Sequence, residues 1–190
     1  MKKYIVAGTI VCLIACNNNP GNTADPVEKA DSINDAQQEI VSDVSRTKEA
    51  TSDFLVKAAD GGMAEVAAGK IGEEKAASDV VKDFAREMIK DHEAANKEVK
   101  SLASKLNIAL PATSGEDHQK KIADLGGKKA KDFDKDFMDM MVSDHKKTID
   151  LFRDASDKAL DPDVKAFVIA TLPTLESHLA KAEAIQKALK

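Results

Sequence analysis

The chain has 190 residues and a formal charge of −5, with 28 Lys and Arg against 33 Asp and Glu. An acidic surface of mixed sign favours solubility and argues against a nucleic-acid partner, which would need a concentrated basic face. Tryptophan is absent, Pro is sparse and Ala, Lys, Glu, Asp, Leu and Val dominate, a composition suited to helices packed by aliphatic and small side chains.

The first element is an export signal. Lys2 and Lys3 form a basic start, and Ile5 to Ala15 form an apolar run of about ten residues, too short to span a bilayer and right for a signal core. The run ends in Leu13, Ile14, Ala15 and Cys16, which resembles the lipobox of bacterial lipoproteins, where a cysteine is acylated and becomes the mature N-terminus. The alternative, a buried cysteine in an ordinary helix, is opposed by Asn17, Asn18, Asn19, Pro20 and Gly21, which favour turns. Residues 1–15 are therefore read as a removed signal and Cys16 as the lipid-bearing residue, which gives membrane attachment through the lipid. The expected location is the bacterial cell envelope, at the outer membrane facing the periplasm. The other cysteine, Cys12, leaves with the signal, so thiol catalysis and a disulfide are excluded. Loss of Lys2 and Lys3 moves the formal charge from −5 to −7.

Residues 16–47 read mainly as a polar tether, although Val27, Ala30, Ile33, Ile40, Val41 and Val44 recur at the three- and four-residue spacing of an amphipathic helix. Residues 48–190 form the domain, long enough for a sizeable core. Helix A is predicted over about Ser52 to Ala76, with Leu55, Ala59, Gly62, Val66 and Gly69 on one stripe. Ser78 and Asp79 offer the cap of helix B, whose seam is Val81, Ala85, Met88, His92, Ala95, Val99, Leu102 and Leu106. Asn107 to Lys131, punctuated by Pro111, Gly115, Gly126 and Gly127, is a long connection with a short helical piece near His118 to Leu125.

Helix C follows over about Asp132 to Ala159, with Met138, Met141, His145, Thr148, Phe152 and Ala155 on its seam. Asp161 and Pro162 open helix D, with Val164, Val168, Thr171, Leu175, His178, Ala182, Ile185 and Leu189 inward, and Pro173 is expected to kink or divide it. The fold class is thus all-α, an antiparallel four-helix bundle of up-down-up-down order with a long B–C connection.

Three seams carry a histidine: His92, His145 and His178. Each of them, taken singly, reads as a core residue satisfied by a hydrogen bond. Together with Glu65 they lie at similar depths from the A–B and C–D turns, so the four side chains are predicted to share one layer, within roughly 6 Å along the axis. Three imidazoles and a carboxylate are a donor set for copper, zinc or iron. Met88 and Met141, one turn before two of the histidines, are candidate soft ligands or plain packing. Asp91 and Asp144 precede His92 and His145, and because neighbours on a helix diverge by about 100° they are expected to support from behind or face solvent. His118 is expected to be exposed. Glu65 is the member with least support, flanking its stripe among Gly61, Gly62, Ala64, Ala67, Ala68 and Gly69.

The segments DFLVKAADGGMAEVAAG, VVKDFAREMIKDHEAANKEVKSLASKLNIALP, FDKDFMDMMVSDHKKTIDLFRDAS and DPDVKAFVIATLPTLESHLAKAEAI, in this order, closely resemble the bacterial envelope family called domain of unknown function 4142, over about Ser52 to Gln186. That resemblance implies a ferritin-like four-helix bundle outside the cytoplasm and no established activity. The Glu-x-x-His pairs of diiron ferritin-like proteins are missing, because Ile89, Val142 and Leu175 stand three residues before the three histidines, which opposes ferroxidase or oxygenase chemistry. MIKDH and MVSDH are also similar to the Met- and His-bearing helices of small periplasmic proteins, some linked to copper. No phosphate loop or nucleophile elbow is visible, so the reading leans away from an enzyme. Two functions stay open. One is metal buffering, storage or stress protection in the envelope; the other is a structural or interaction lipoprotein whose histidines form a metal-free hydrogen-bonded layer.

Overall fold

Long stretches of good helix formers with apolar residues every third or fourth position commit most of this chain to helix. The computed structural model describes residues 25–36, 42–158 and 160–189. Their elements are α1 (Pro26–Ala36), α2 (Ser42–Lys75), α3 (Asp79–Leu106), α4 (Glu116–Gly126), α5 (Ala130–Asp157) and α6 (Pro162–Ala188), with no strand among the described residues. The expected signal over 1–15 and Cys16 lie outside the described residues. Among the described residues no helix is long and apolar enough to cross a membrane.

The helix ends are held largely as the sequence suggests, with one correction. Asp161 caps α6 by accepting from the Asp163 and Val164 N–H groups at 3.0 and 3.4 Å, and Pro162 fits the first turn because its missing N–H would have had no intrahelical partner. Asn107 closes α3 in the left-handed conformation at φ 54°, an accessible state for Asn. Ser78, however, makes no side-chain cap for α3. Instead the Ala77 and Ser78 N–H groups donate to the Asp134 carboxylate of α5 at 2.9 and 2.8 Å, so the orphan donors of that turn are satisfied across the fold. Pro173 does not divide α6, which continues from Pro162 to Ala188. It lies on the exposed face with Ile169, whose carbonyl loses its helical donor where solvent can replace it.

Four long helices pack in a ring of neighbours: α2 on α3, α3 on α6, α6 on α5 and α5 on α2. Each neighbouring pair is antiparallel. Gly62 meets Asn96 while Gly72 meets Ala85, and Phe54 packs on Phe152 while Gly72 lies against Phe137. The up-down-up-down order is nevertheless wrong, because α3 and α5 run the same way. The α2–α3 turn sits beside the start of α5 through Asp134, whereas the α5–α6 turn sits beside the start of α2, where the Asp161 N–H donates to Thr51 Oγ1 at 3.0 Å. The two turns therefore lie at opposite ends, and the long α3–α5 connection runs the length of the molecule.

That connection carries α4, which lies along α2 and touches α5. Gly115 N–H donates to Asp60 at 2.8 Å at one end, and the Lys75 ammonium donates to the Gly126 carbonyl at the other. Within the stretch read mainly as tether, the described residues from Pro26 to Ala36 and from Ser42 onward are helical, while Ile40 and Val41 lie outside the described residues. In α1, Ala30 and Asn34 are buried, and Asn34 exchanges two hydrogen bonds with the Ala109 backbone at 3.1 and 2.8 Å. Helix α2 begins at Ser42, ten residues before the expected Ser52.

The core has two apolar clusters. One gathers Phe54, Leu55, Val99, Phe152, Phe167 and Leu175; the other gathers Val81, Met88, Phe133, Phe137, Met141 and Ala182. Gly72 lets the second close, since a Cβ there would lie 2.8 Å from the Phe137 ring. Along every long helix the two clusters are interrupted at one level. The interruptions are Glu65 on α2, His92 on α3, His145 on α5 and His178 on α6.

Candidate metal centre

Each of the four residues is inward for a reason local to its helix. His92 follows Val81, Ala85 and Met88 on the buried seam of α3, His145 follows Met138 and Met141 on α5, and His178 follows Val164, Val168 and Leu175 on α6. Glu65 is drawn in by the close approach of α2 and α3 at Gly69, where a Cβ would stand 2.9 Å from Ile89 and 3.2 Å from the Ala85 carbonyl. Glu65, His92, His145 and His178 are 4, 6, 0 and 2% exposed, so all four predicted ligands are in the interior.

They converge. The three imidazoles form a nearly equilateral triangle with centroid separations of 5.5, 5.6 and 5.5 Å, and one ligand nitrogen from each lies within 4.8 Å of the other two. Glu65 Oε2 is 3.3 Å from His92 Nε2 and 3.4 Å from His145 Nδ1. At metal–nitrogen bonds of about 2.0–2.1 Å, tetrahedral donors stand roughly 3.3 Å apart, the spacing that Glu65 Oε2 and His92 Nε2 already have; the His145 nitrogen beside Glu65 is Nδ1, which the Met141 carbonyl also holds.

The outer contacts fix which nitrogens point inward. His145 Nδ1 donates to the Met141 carbonyl at 3.0 Å, which leaves Nε2 as the free lone pair. His178 Nε2 donates to Asp91 Oδ2 at 3.1 Å, which leaves Nδ1. Such carbonyl and carboxylate partners orient ligating imidazoles and raise their basicity. Among the described residues, the buried side-chain atoms that lack a hydrogen-bond partner are Glu65 Oε1 and Oε2, His92 Nε2, His145 Nε2 and His178 Nδ1. Five orphaned atoms on four converging residues are unusual in a folded interior, where such atoms cost about 1–3 kcal/mol each.

Electrostatics agrees with the geometry. Burial pushes His92 down to about 3, with the neighbouring imidazoles adding to the effect. Burial and His178 lower His145 to about 4, and burial also lowers His178 against the opposing pull of Asp91. The rings are therefore neutral at pH 7 and can ligate. Burial, helped by the charge of Asp144, raises Glu65 well above the usual carboxylate range. A cation among these donors would reverse that shift by supplying the opposite charge.

The flanking residues divide. Asp91 supports His178 from behind, as the sequence allowed, but it does so for the histidine of α6 rather than for its own neighbour. Glu87 lies with Asp91 and His178 in a half-buried group, and its carboxylate pairs with Lys181. Asp144 does not bond a histidine; it pairs with Lys121 and Lys147 at 3.4 and 3.6 Å. Met88 and Met141 are fully buried in the apolar cluster, where packing accounts for them, and it is the Met141 carbonyl that meets His145. His118 corrects an expectation. It is only about one-quarter exposed, 3.0 Å from Asp60 Oδ1, and the hydrogen bond to Asp60 raises its pKa above the ordinary value. Asp60, eighteen residues after the start of α2 at Ser42, carried no sequence signal for that pairing.

A family model described as Domain of unknown function (DUF4142) matches residues 36–185. The chain belongs to that family. No curated protein and no solved structure matches it. The matched span contains all four converging residues and begins before α2.

Proposed function

We propose that this chain is an envelope lipoprotein, anchored through lipid on Cys16, whose ferritin-like four-helix bundle holds one first-row transition ion for buffering, storage or stress protection. The single observation that carries the metal reading is the set of five orphaned buried donor atoms on Glu65, His92, His145 and His178. Neutral imidazoles with a carboxylate suit zinc, copper or iron, and the ionised Glu65 would leave a dipositive centre only singly charged. Export and the anchor are supported by the basic start, the apolar run and the Ala15–Cys16 junction that ends it.

A competing reading, a metal-free polar layer that fixes helix register, is favoured by the bonds of His145 to Met141 and of His178 to Asp91. Those bonds satisfy the outward nitrogens and leave the inward ones without partners. The full chain, stripped with chelator, exposed to zinc and desalted, is expected to retain one ion per chain by elemental analysis, and His145→Ala to retain far less. Equal retention by the two proteins, or none by either, would reject the metal reading.

A further inference from the structure

The metal layer is buried, so an ion needs a way in. A cavity of about 270 Å³ lies between α2, α4 and α5, and its lining includes Asp60, Gly61, Glu65, His118, Asp144 and Lys147. It is the cavity wall, not the protein surface, that presents Glu65, whose two oxygens are buried and unpartnered. Two carboxylates line it, each partnered by a residue of α4: Asp60 by His118 at 3.0 Å and Asp144 by Lys121 at 3.4 Å, with Lys147 of α5 also beside Asp144 at 3.6 Å. Helix α4 touches α5 only lightly compared with the long-helix contacts. These two pairs therefore fasten α4 over the cavity.

We propose that this cavity is the entry route of the cation and that Asp60 and Asp144 receive it before Glu65 does. The inference rests on the metal reading above and adds the path to it. An arriving divalent ion replaces His118 at Asp60 and Lys121 and Lys147 at Asp144, loses part of its water shell to oxygen donors, and passes inward to the Glu65 carboxylate and the three imidazoles. Because Lys57 and Lys147 line the same recess, Asp60 and Asp144 act on the ion as transient oxygen donors on the way to Glu65 rather than as a net attracting charge. The passage is open beside Gly61, where a Cβ built on the backbone meets nothing within 4 Å.

Stopped-flow uptake of cobalt(II) by the full apo chain, followed by its visible absorption, separates path from site. The Asp60→Asn/Asp144→Asn double variant is expected to load at least tenfold more slowly while reaching the wild-type final spectrum and one ion per chain. Gly61→Leu puts bulk into the passage while leaving both outer carboxylates in place and is expected to slow loading in the same way, which keeps the test valid if the double variant is poorly folded. Wild-type loading rates in both would overturn the route, as would slowing by Glu87→Gln alone, which would place entry on the α3–α6 face. A wild-type chain that never develops the spectrum of a nitrogen-bound ion rejects the site itself and the route with it.

Discussion

Saturating zinc is expected to raise the thermal midpoint of the apo chain by about 5–10 °C. A ligand at a hundredfold its Kd that binds only the native state contributes about 2.7 kcal/mol, and a domain of this size converts each kcal/mol into about 2–4 °C. His92→Ala should remove the shift, because it takes away an orphaned inward nitrogen and one corner of the imidazole triangle. The same variant should cost the apo protein on the order of 1–2 kcal/mol, since a neutral, loosely partnered ring contributes mainly its packing. Scanning calorimetry on both proteins, with and without zinc, separates the two effects. An undiminished zinc shift in His92→Ala would contradict the assignment of that ligand.

Glu65→Leu should do the reverse, making the apo protein more stable while abolishing the zinc shift. The raised pKa of Glu65 means that the folded chain holds a proton the unfolded chain gives up above 4.5. The associated stability is fully present below 4.5 and is lost as pH rises through the folded value. At pH 8 the variant escapes that loss and should gain about 1–4 kcal/mol over the apo wild type, as replacements of buried charged groups by apolar ones often do; the gain should shrink toward pH 4.5.

The histidines act with the opposite sign. His92 and His145 have folded values of about 3 and about 4 against 6.5 unfolded, so their contribution is complete above 6.5 and disappears as pH falls from 6.5 toward 4 and then 3. Each contributes a slope of about 1.4 kcal/mol per pH unit in that window, with His178 adding in the same direction and Glu65 opposing. His118, whose folded pKa is raised by Asp60, contributes stability that is present below 6.5 and fades as pH rises through its folded value. Chemical denaturation of the two apo proteins from pH 4.5 to 8 measures the crossing. A Glu65→Leu curve parallel to that of the wild type would contradict a buried, proton-holding Glu65.

The seams made most of the fold legible. Val81, Ala85, Met88 and His92 recur at four- and three-residue intervals, which can only share a face in a helix, and α3 spans Asp79–Leu106 as that spacing requires. The direction of α5 was not legible. His145 lies near the middle of its helix, sixteen residues before Asp161 and fifteen after Ala130, so its depth is nearly the same whichever end is up. The shared layer was therefore anticipated from a topology that the structure corrects. Glu65 carried a weak signal because its burial comes from the approach of α3 at Gly69, a property of the pair of helices rather than of the α2 stripe. The Asp60–His118 pair, fifty-eight residues apart, had no local signature, since nothing in a polar connection tells which surface it will cover. Asn34 was hidden for the same reason, its partner being the backbone of Ala109 seventy-five residues away.

The metal centre is tested most directly by X-ray absorption at the zinc edge of the loaded full chain. The account predicts a four-coordinate nitrogen and oxygen shell at about 2.0–2.2 Å, with outer-shell scattering from three imidazoles that falls to two in His178→Ala. A shell without imidazole scattering, or a spectrum unchanged by His178→Ala, would contradict it.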